Sequence, residues 1–115
     1  PFINENISMV KALKIMNEKK LGTLIIRNKR KFTTGIITDG QIRRLTSKNI
    51  NLSLLKVKNV MTKNPIKIEK NTLATKALSI MNEKKITCLC VFRKNNKRKT
   101  IGILHIHQIL ETNTS

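Results

Sequence analysis

The sequence predicts an α+β fold made of two copies of one strand-helix-strand-strand-helix unit, packed sheet to sheet with pseudo-two-fold symmetry. The first observation is an internal repeat: residues 11–26, KALKIMNEKKLGTLII, return 65 positions later as KALSIMNEKKITCLCV, with ten of the sixteen positions identical. The second is that GIITDGQIRR, from Gly35, aligns with GILHIHQILE, from Gly102, after a two-residue insertion. The third is a change of apolar spacing from helical to strand-like, in the same order in both copies.

Each copy opens with an amphipathic helix. Asn6 and Asn71 are the predicted N-caps, because an asparagine side chain accepts a hydrogen bond from the free N–H groups of a first helical turn. A Lys-Lys pair ends each helix, where cations suit the negative end of the helix dipole. Apolar residues recur between these signals at spacings of three and four, as expected for one buried helix face: Met9, Ala12, Leu13 and Met16, then Leu73, Ala77, Ile80 and Met81.

A hairpin and a second helix complete each copy. The predicted elements are strands at 23–27 and 88–93, basic turns at 28–31 and 94–99, strands at 35–38 and 101–105, and short helices from Asp39 and Ile106. Residues 60–68, VMTKNPIKI, lead into the second copy in extended form, and residues 1–3 resemble a truncated equivalent. The first copy is therefore placed at 1–56 and the second at 57–115.

A three-stranded sheet with helices on one face only leaves its other face uncovered. Packing the two sheets face to face covers both apolar surfaces, and it creates two related clefts between the halves. We therefore expect one compact pair with two candidate ligand sites.

The composition constrains the class of partner. Lys and Arg total 24 against 6 Asp and Glu, giving a net charge of +18, yet the chain has only three Phe and neither Trp nor Tyr. The chain therefore has too few aromatic side chains to form a stacking platform for single-stranded nucleic acid. Lys, Asn and Ile number 18, 13 and 17, and AT-rich codons encode these residues, so much of the basicity reflects composition.

The chain offers no predicted metal, disulfide or catalytic centre. Cys88 and Cys90 lie two apart on one strand, where neighbours rarely bridge, and with His105 and His107 they lack the usual metal-ligand spacing. Only six acids exist, so no nucleophile, base and orienting acid can be assembled. No apolar run approaches the roughly 18 residues of a membrane span. A cytoplasmic protein without a membrane partner is expected, and the start at Pro1 is what we expect of a piece of a longer protein.

The motifs resemble a tandem pair of cystathionine-beta-synthase (CBS) domains, also called a Bateman module. The resemblance is carried by GIITDGQIRR (35–44), VMTKNP (60–65), ALSIMNEKKIT (77–87) and GILHIHQIL (102–110), and it covers essentially the whole chain. Among CBS pairs, these residues are most similar to the C-terminal region of D-arabinose 5-phosphate isomerases of the sugar-isomerase family. That family implies a preceding sugar-isomerase domain, which feeds synthesis of the lipopolysaccharide sugar Kdo, and a regulatory role for this piece.

The family pattern reads Gly, two variable residues, Thr or Ser, two more, then Asp; the hydroxyl meets phosphate and the Asp takes both ribose hydroxyls. The first copy supplies Gly35 and Thr38 but has Gln41 at the Asp position. The second has His105 in place of the hydroxyl residue and Gln108 in place of the Asp. Hydrogen bonds to charged groups are worth roughly 1.5–3 kcal/mol against about 1 for neutral ones, so each replacement costs about tenfold or more in affinity. The resemblance thus favours a ligand other than AMP or ATP, such as the activated sugar CMP-Kdo.

The resemblance and the chemistry together give one set of candidate residues for a regulatory nucleotide or nucleotide-sugar, with no other cofactor. The helix from Asp39 offers backbone N–H groups to an anion, with Thr38 and Arg44 beside it. Alternatively, Asp39 only caps that helix and the arginines form a solvated face. The complete set is Thr38, Asp39, Gln41, Arg44, Thr62, Asn64, Pro65, Thr87, His105, His107 and Gln108.

Two other functions compete with ligand binding. The clefts could be vestigial, the module serving to assemble the parent enzyme into a homodimer or a higher homo-oligomer. Nucleic-acid binding through the basic turns at 27–31 and 93–99 is less favoured, because hairpin tips carry Lys and Arg on solvation grounds alone.

Overall fold

The structure is a computed structural model that describes the backbone of residues 2–114 and the side chains of residues 2–111. The chain forms two compact units, Pro1–Asn64 and Pro65–Ser115, called unit 1 and unit 2. Both contain a sheet and helices in the same order, so the predicted α+β class and the duplicated organisation are confirmed. The predicted repeat boundary at 56/57 stays a prediction, because residues 57–64 pack on unit 1 although in sequence they lead into the second copy.

Unit 1 is a four-stranded sheet with helices. Its elements are β1 Phe2–Asn4, α1 Met9–Lys19, β2 Thr23–Arg27, β3 Thr33–Thr38, α2 Asp39–Ser47, a 3₁₀ helix Leu52–Leu54, α3 Val57–Val60 and β4 Thr62–Lys63. Strand β1 runs parallel to β2, whereas β2 with β3 and β3 with β4 are antiparallel, giving the order β1-β2-β3-β4.

Helix α1 begins two residues later than its predicted cap. Ser8 is the N-cap, and its hydroxyl oxygen accepts a hydrogen bond from the Lys11 backbone N–H at 3.2 Å. The prediction that Asn6 caps this helix is wrong, because Asn6 lies in the preceding turn, where its own backbone N–H donates to the Asn4 side chain at 2.8 Å. The helix ends at Lys20, whose φ of 52° is left-handed.

The core of unit 1 joins α1 to one face of the sheet and to the segment after α2. Met9 and Ala12 of α1 are completely buried, as are Leu24, Ile26 and Ile37 of the sheet. Burying each of these larger side chains stabilises the fold by about 1.5–3 kcal/mol. Val57 and Val60 of α3 belong to the same cluster, with Ile42 and Met61 packed against it.

Unit 2 is a three-stranded sheet with two helices. Its elements are β5 Lys67–Glu69, α4 Ala74–Lys84, β6 Cys88–Phe92, β7 Thr100–His105 and α5 Ile106–Thr114. Strand β5 runs parallel to β6, and β6 pairs antiparallel with β7, giving the order β5-β6-β7. The core of unit 2 contains Ile68, Ala77, Met81, Leu89 and Ile109.

Helix α4 begins without a side-chain cap. Its N-cap is Leu73, so the prediction that Asn71 caps this helix is wrong. Asn71 lies two residues before the cap position, and the Leu73 carbonyl accepts the first helical hydrogen bond, from the Ala77 N–H, at 3.0 Å. Like α1, the helix ends at a left-handed lysine, Lys85, with a φ of 57°.

Of the four predicted hairpin strands, β2 has its predicted bounds and the other three differ from the observed ones by one or two residues. The strand expected at 88–93 ends one residue earlier, at Phe92, which is the last residue of β6 that pairs with β7. Strands β3 and β7 begin earlier than expected, at Thr33 and Thr100. The segment predicted as extended over 60–68 is interrupted, since its first residue ends α3 and only Thr62–Lys63 and, further on, Lys67 and Ile68 lie in strands, the first pair in the sheet of unit 1.

Six residues of the described chain adopt left-handed backbone conformations, and each is Lys or Asn. No glycine among the described residues has a positive φ. The six are Lys20, Lys31, Asn49, Asn64, Lys85 and Asn95. Among the residues described, no helix has both the length and the apolar character needed to cross a membrane.

Candidate functional site

The first candidate site lies where β3 of unit 1 turns into α2. Thr38 is the N-cap of α2, and its hydroxyl oxygen accepts from the Gln41 N–H at 3.2 Å. Asp39 is the first helical residue and not the cap, contrary to the alternative in which it caps the helix; its N–H donates to the Gly22 carbonyl at 2.9 Å. Two of the N–H groups at this helix start are therefore already satisfied within the chain, while the Thr38 hydroxyl keeps its proton for a further acceptor.

Two guanidinium groups flank the first turn of α2. Arg43 pairs with Asp39 at 3.2 Å, and both side chains are more than half exposed, so this ion pair stabilises the helix only slightly. The guanidinium of Arg44 lies over Gly40, 3.6 Å from where a Cβ on that glycine would stand. Positive charge is thus held at the first turn of the helix that Thr38 caps, and positive charge at a helix start is the arrangement expected for an anion site.

Gln41, at the ribose-reading position of the family pattern, is engaged inside unit 1. Its amide nitrogen donates to the Val60 carbonyl at 2.5 Å, and its amide oxygen accepts from the Thr62 hydroxyl at 3.5 Å. The side chain therefore joins the start of α2 to the segment that contains β4. The structure brings Thr38, Gln41 and Thr62 together, whereas their role in binding a ligand stays a prediction.

Gly35 permits β4 to approach β3 closely, which sequence reasoning did not anticipate. Lys63 lies opposite Gly35 in the register. A Cβ on Gly35 would stand 2.7 Å from the Met61 sulfur and 2.7 Å from the Thr62 carbonyl oxygen, closer than real Cβ contacts. The glycine of the family pattern therefore has a packing role here that its sequence neighbours do not reveal.

Asn64 and Pro65, the other two candidate binding residues of the segment before β5, lie on either side of the boundary between the two units. Asn64 ends unit 1 with a left-handed φ of 51°, and its N–H donates to the Thr34 carbonyl at 3.4 Å. Pro65 begins unit 2 and is buried.

The second candidate site lies where β7 of unit 2 turns into α5. The His105 N–H donates to the side-chain oxygen of Gln108 at 2.8 Å, so Gln108 reaches back to the start of its own helix. The Ile106 N–H donates to the Thr87 carbonyl at 2.8 Å, which repeats the contact between Asp39 and Gly22. Gln41 and Gln108 thus occupy equivalent positions but hold different partners.

Two imidazole rings mark this second site. The rings of His105 and His107 are stacked with centroids 6.0 Å apart and planes 7° from parallel. The Nδ1 atom of His105 is buried, and no described residue hydrogen-bonds to it. The position that bears a hydroxyl in the first copy therefore presents an imidazole in the second.

A cavity lies in each unit. In unit 1 a cavity of about 710 Å³ lies between α1 and the start of α2 and reaches Lys14, Lys20 and Asp39. In unit 2 a cavity of about 480 Å³ lies along β7 and reaches Gly102 and Gln108.

Both cysteines are free and buried beside these elements. Burial raises the pKa of the Cys88 thiol and raises that of Cys90 to about 11, the second despite a hydrogen bond from Thr100. These thiols are protonated at neutral pH and are therefore poor nucleophiles. Within the described part of the chain, no three His, Cys, Asp or Glu side chains are grouped so that they could hold a metal ion.

The duplicated fold and the two equivalent strand-to-helix junctions define a class of protein. The sequence profile of the CBS domain matches residues 1–48 and again 57–113. The chain therefore belongs to the CBS domain family and carries two copies of that domain.

Its relatives include isomerases. The chain is 36% identical over 115 residues to an uncharacterized protein of Rickettsia prowazekii, covering 100% of this chain and 34% of that protein. It is 33% identical over 110 residues to the arabinose 5-phosphate isomerase KdsD of Yersinia pestis, covering 96% of this chain and 33% of that enzyme. The predicted similarity to these isomerases is thus confirmed, and the chain spans about a third of the length of these curated relatives.

Solved CBS structures share the fold. A CBS domain pair in complex with methylthioadenosine and S-adenosyl-L-methionine matches with a TM-score of 0.82 at 23% identity, covering 99% of this chain and 89% of that chain. A CBS domain protein from Pyrobaculum aerophilum complexed with AMP matches with a TM-score of 0.82 at 16% identity, covering 99% and 91%. At these identities the similarity concerns the fold alone.

Proposed function

We propose that this chain is the regulatory CBS pair of a cytoplasmic sugar isomerase, and that it binds a small anionic nucleotide or nucleotide-sugar. Its proposed partner is a sugar-isomerase domain in the same parent chain, of the arabinose 5-phosphate isomerase type. Support comes from the isomerase of Yersinia pestis, which matches 96% of this chain with only 33% of its own length. That leaves about two thirds of such a relative for other domains.

The choice of ligand rests on one observation, which is that the Gln41 side chain already makes hydrogen bonds within unit 1. A carboxylate at this position would accept two charge-assisted hydrogen bonds from a ribose, whereas an amide offers one neutral acceptor oxygen. That oxygen already faces the Thr62 hydroxyl, and the amide nitrogen is bound to the Val60 carbonyl. Ribose recognition at the first site is therefore weak, and a ligand must gain its affinity elsewhere.

In both copies, anionic groups of the ligand supply that affinity. At the first site the Thr38 hydroxyl and the Arg44 guanidinium lie beside the start of α2, where a phosphate or carboxylate is favoured by charge and by the helix dipole. At the second, the buried Nδ1 of His105 lacks a partner among the described residues, and His107 stacks on its ring. A nucleotide-sugar that carries a phosphate and a second anionic group, such as CMP-Kdo, fits these contacts better than AMP.

Calorimetric titration of the chain with CMP-Kdo, CMP, AMP and ATP tests the proposal. We expect CMP-Kdo to bind most tightly and Arg44→Gln to weaken it by about tenfold, the loss of roughly one charge-assisted hydrogen bond. Gln41→Asp, which restores the ribose-reading carboxylate, is expected to improve AMP binding relative to CMP-Kdo. Lys48→Gln, at the far end of α2, is the matched charge control. Failure of all four ligands to bind at millimolar concentration would overturn the ligand-binding role.

Assembly of the parent enzyme is the second candidate function, and large exposed apolar side chains favour it. Leu54 in unit 1 is 87% exposed and Leu73 in unit 2 is 73% exposed. Such residues are commonly covered at a protein interface. Light scattering of the parent enzyme with and without this region separates the two functions, because an unchanged oligomer would exclude an assembly role.

A further inference from the structure

The cavity of unit 1 has an apolar floor. It lies between α1 and the start of α2, and four apolar side chains line it: Leu13, Met16, Leu21 and Ile42. Met16 belongs to the core cluster of unit 1, and the other three pack against that cluster but are only half-buried. The volume of about 710 Å³ lies within the range of about 300–1,000 Å³ that is usual for sites of small molecules. Part of the surface of these side chains is therefore free to contact an apolar ligand.

Two lysines bring positive charge to the rim of this cavity. Lys14 and Lys20 both line it and are exposed. Lys14 lies 3.9 Å from Glu18, but the two side chains are 73% and 61% exposed, so water weakens the pair. No carboxylate of the described residues pairs with Lys20, and that of Asp39, which also lines the cavity, is paired with Arg43 at 3.2 Å. The charge that remains at the rim is thus positive.

The second copy shows why Ile42 is accessible. The repeat aligns Ile42 with Ile109 and Asp39 with Ile106. In unit 2, Ile106 packs against the core cluster, and Ile109 is only 4% exposed. In unit 1 the aspartate at the equivalent position pairs with Arg43, and Ile42 stays half-buried. An apolar side chain that covers the core in one copy is therefore replaced in the other by a charged residue at the edge of a cavity.

Two further replacements open and charge the same cavity. Gly22, which lines it, stands where unit 2 has Thr87, and nothing lies within 4 Å of a Cβ added to this glycine. Lys14 stands where unit 2 has Ser79. The bias of the chain toward Lys accounts for Lys14, but it does not account for Gly22, because the chain has only 4 Gly. The first copy thus differs from the second in having more room and one more cation at this place.

We propose that this cavity binds a small aliphatic anion, that is, an aliphatic chain that ends in a carboxylate. The chain lies on Leu13, Met16 and Ile42, and the flexible thioether of Met16 adapts the floor to its shape. The carboxylate lies at the rim, where Lys14 and Lys20 supply charge-assisted hydrogen bonds.

This site is separate from the one proposed for the nucleotide. Thr38 and Arg44 are not among the residues that line the cavity. Of the described residues that do line it, none is aromatic, so a base would find no ring on which to stack, whereas an aliphatic chain needs none. The proposal therefore does not depend on nucleotide binding, and either one can fail without the other.

Titration with octanoate tests the site, and octanol and octylamine provide the same chain with a neutral and a cationic head group. Two-dimensional NMR of the isotopically labelled chain follows the Gly22 amide and the Ile42 methyl groups at constant ionic strength. We expect octanoate to shift both signals and to bind at least about tenfold more tightly than either comparator, because charged hydrogen bonds add to the same apolar contacts.

Three variants make the result specific. Gly22→Thr installs the residue of unit 2 and is expected to abolish binding without lowering the melting temperature, because this glycine has no positive φ and its added Cβ meets no other atom within 4 Å. Lys20→Gln is expected to weaken octanoate binding by about threefold to tenfold. Lys19→Gln, the matched charge control, alters the neighbouring lysine, which does not line the cavity, and leaves the affinity unchanged.

Several results would overturn the proposal. One is the absence of any shift at millimolar octanoate, and another is octanol or octylamine binding as tightly as octanoate. Equal weakening by Lys19→Gln and Lys20→Gln would show that the anion responds only to net charge. Loss of octanoate binding in Arg44→Gln would place the anion at the nucleotide site, and binding that survives Gly22→Thr would place it outside the cavity. A Gly22 signal that shifts with protein concentration in the absence of octanoate would identify a second copy of the chain as the occupant.

Discussion

Alanine substitutions at the two glycines of the repeat are expected to act in opposite directions on stability. Neither glycine has a positive φ, so alanine can adopt both backbone conformations. Replacing glycine under that condition stabilises a protein by about 0.4–1 kcal/mol through the unfolded chain. Gly102→Ala is expected to show this gain alone, because nothing lies within 4 Å of its added Cβ.

Gly35→Ala adds a steric cost to the same gain. Its Cβ would stand 2.7 Å from a backbone oxygen, that of Thr62, and from the sulfur of Met61. Overpacking of this kind typically costs about 1–3 kcal/mol. The free energy of unfolding should therefore fall by about 1–2 kcal/mol in Gly35→Ala, and the two variants should differ by about 1–3 kcal/mol.

Urea unfolding followed by circular dichroism measures the difference, with an unchanged m-value showing that the unfolded states are comparable. Combining Gly35→Ala with Met61→Ala is expected to lower stability by less than the sum of the two single substitutions, because the smaller side chain removes the contact with the sulfur but leaves the Thr62 carbonyl in place. If Gly35→Ala proves as stable as Gly102→Ala, the close approach of β4 to β3 is refuted.

Three further substitutions or measurements follow from the helix ends and the thiols. Ser8→Ala should lower the free energy of unfolding by about 1 kcal/mol, whereas Asn6→Ala should change it less, as thermal unfolding of both would show. Lys85→Gly should raise the melting temperature by relieving the left-handed backbone, and a lower melting temperature would contradict that conformation. Cys88 and Cys90 should react slowly with a thiol reagent at pH 7.5 and rapidly after unfolding. Because burial raises the pKa values of both thiols, their burial as neutral groups supports the fold below the ordinary thiol pKa, and this contribution to stability is lost as the pH rises toward 11. Fast labelling of the folded protein would refute their burial.

Local patterns predicted the hairpins and the starts of α2 and α5 well, but they missed the caps of α1 and α4. Strand β2 was predicted at its observed bounds, because a short apolar run between a helix end and a basic turn leaves few alternatives. The cap of α1 was missed because Asn6 and Ser8 are both good cap residues. Only the hydrogen bond from the Lys11 N–H to the Ser8 hydroxyl oxygen distinguishes them.

Contacts between distant residues account for what the sequence did not predict at the site. The spacing of the family pattern located Thr38 and Gln41, but the partner of Gln41 is the carbonyl of Val60, 19 positions further on. No local periodicity encodes such a pair. The same holds for Gly35, whose neighbour Met61 reaches it only because β4 joins the first sheet.

The compositional bias toward Lys and Asn strains the folded backbone, because lysines and asparagines occupy six left-handed positions. Residues other than glycine are strained in this conformation by roughly 1 kcal/mol or more, asparagine less than lysine. The bias that gives the chain 18 Lys and 13 Asn but only 4 Gly therefore acts on the backbone as well as on surface charge. Strain at these six turns lowers the free energy of unfolding. Relatives with a more balanced composition are therefore expected to carry glycine there and to unfold at higher temperature.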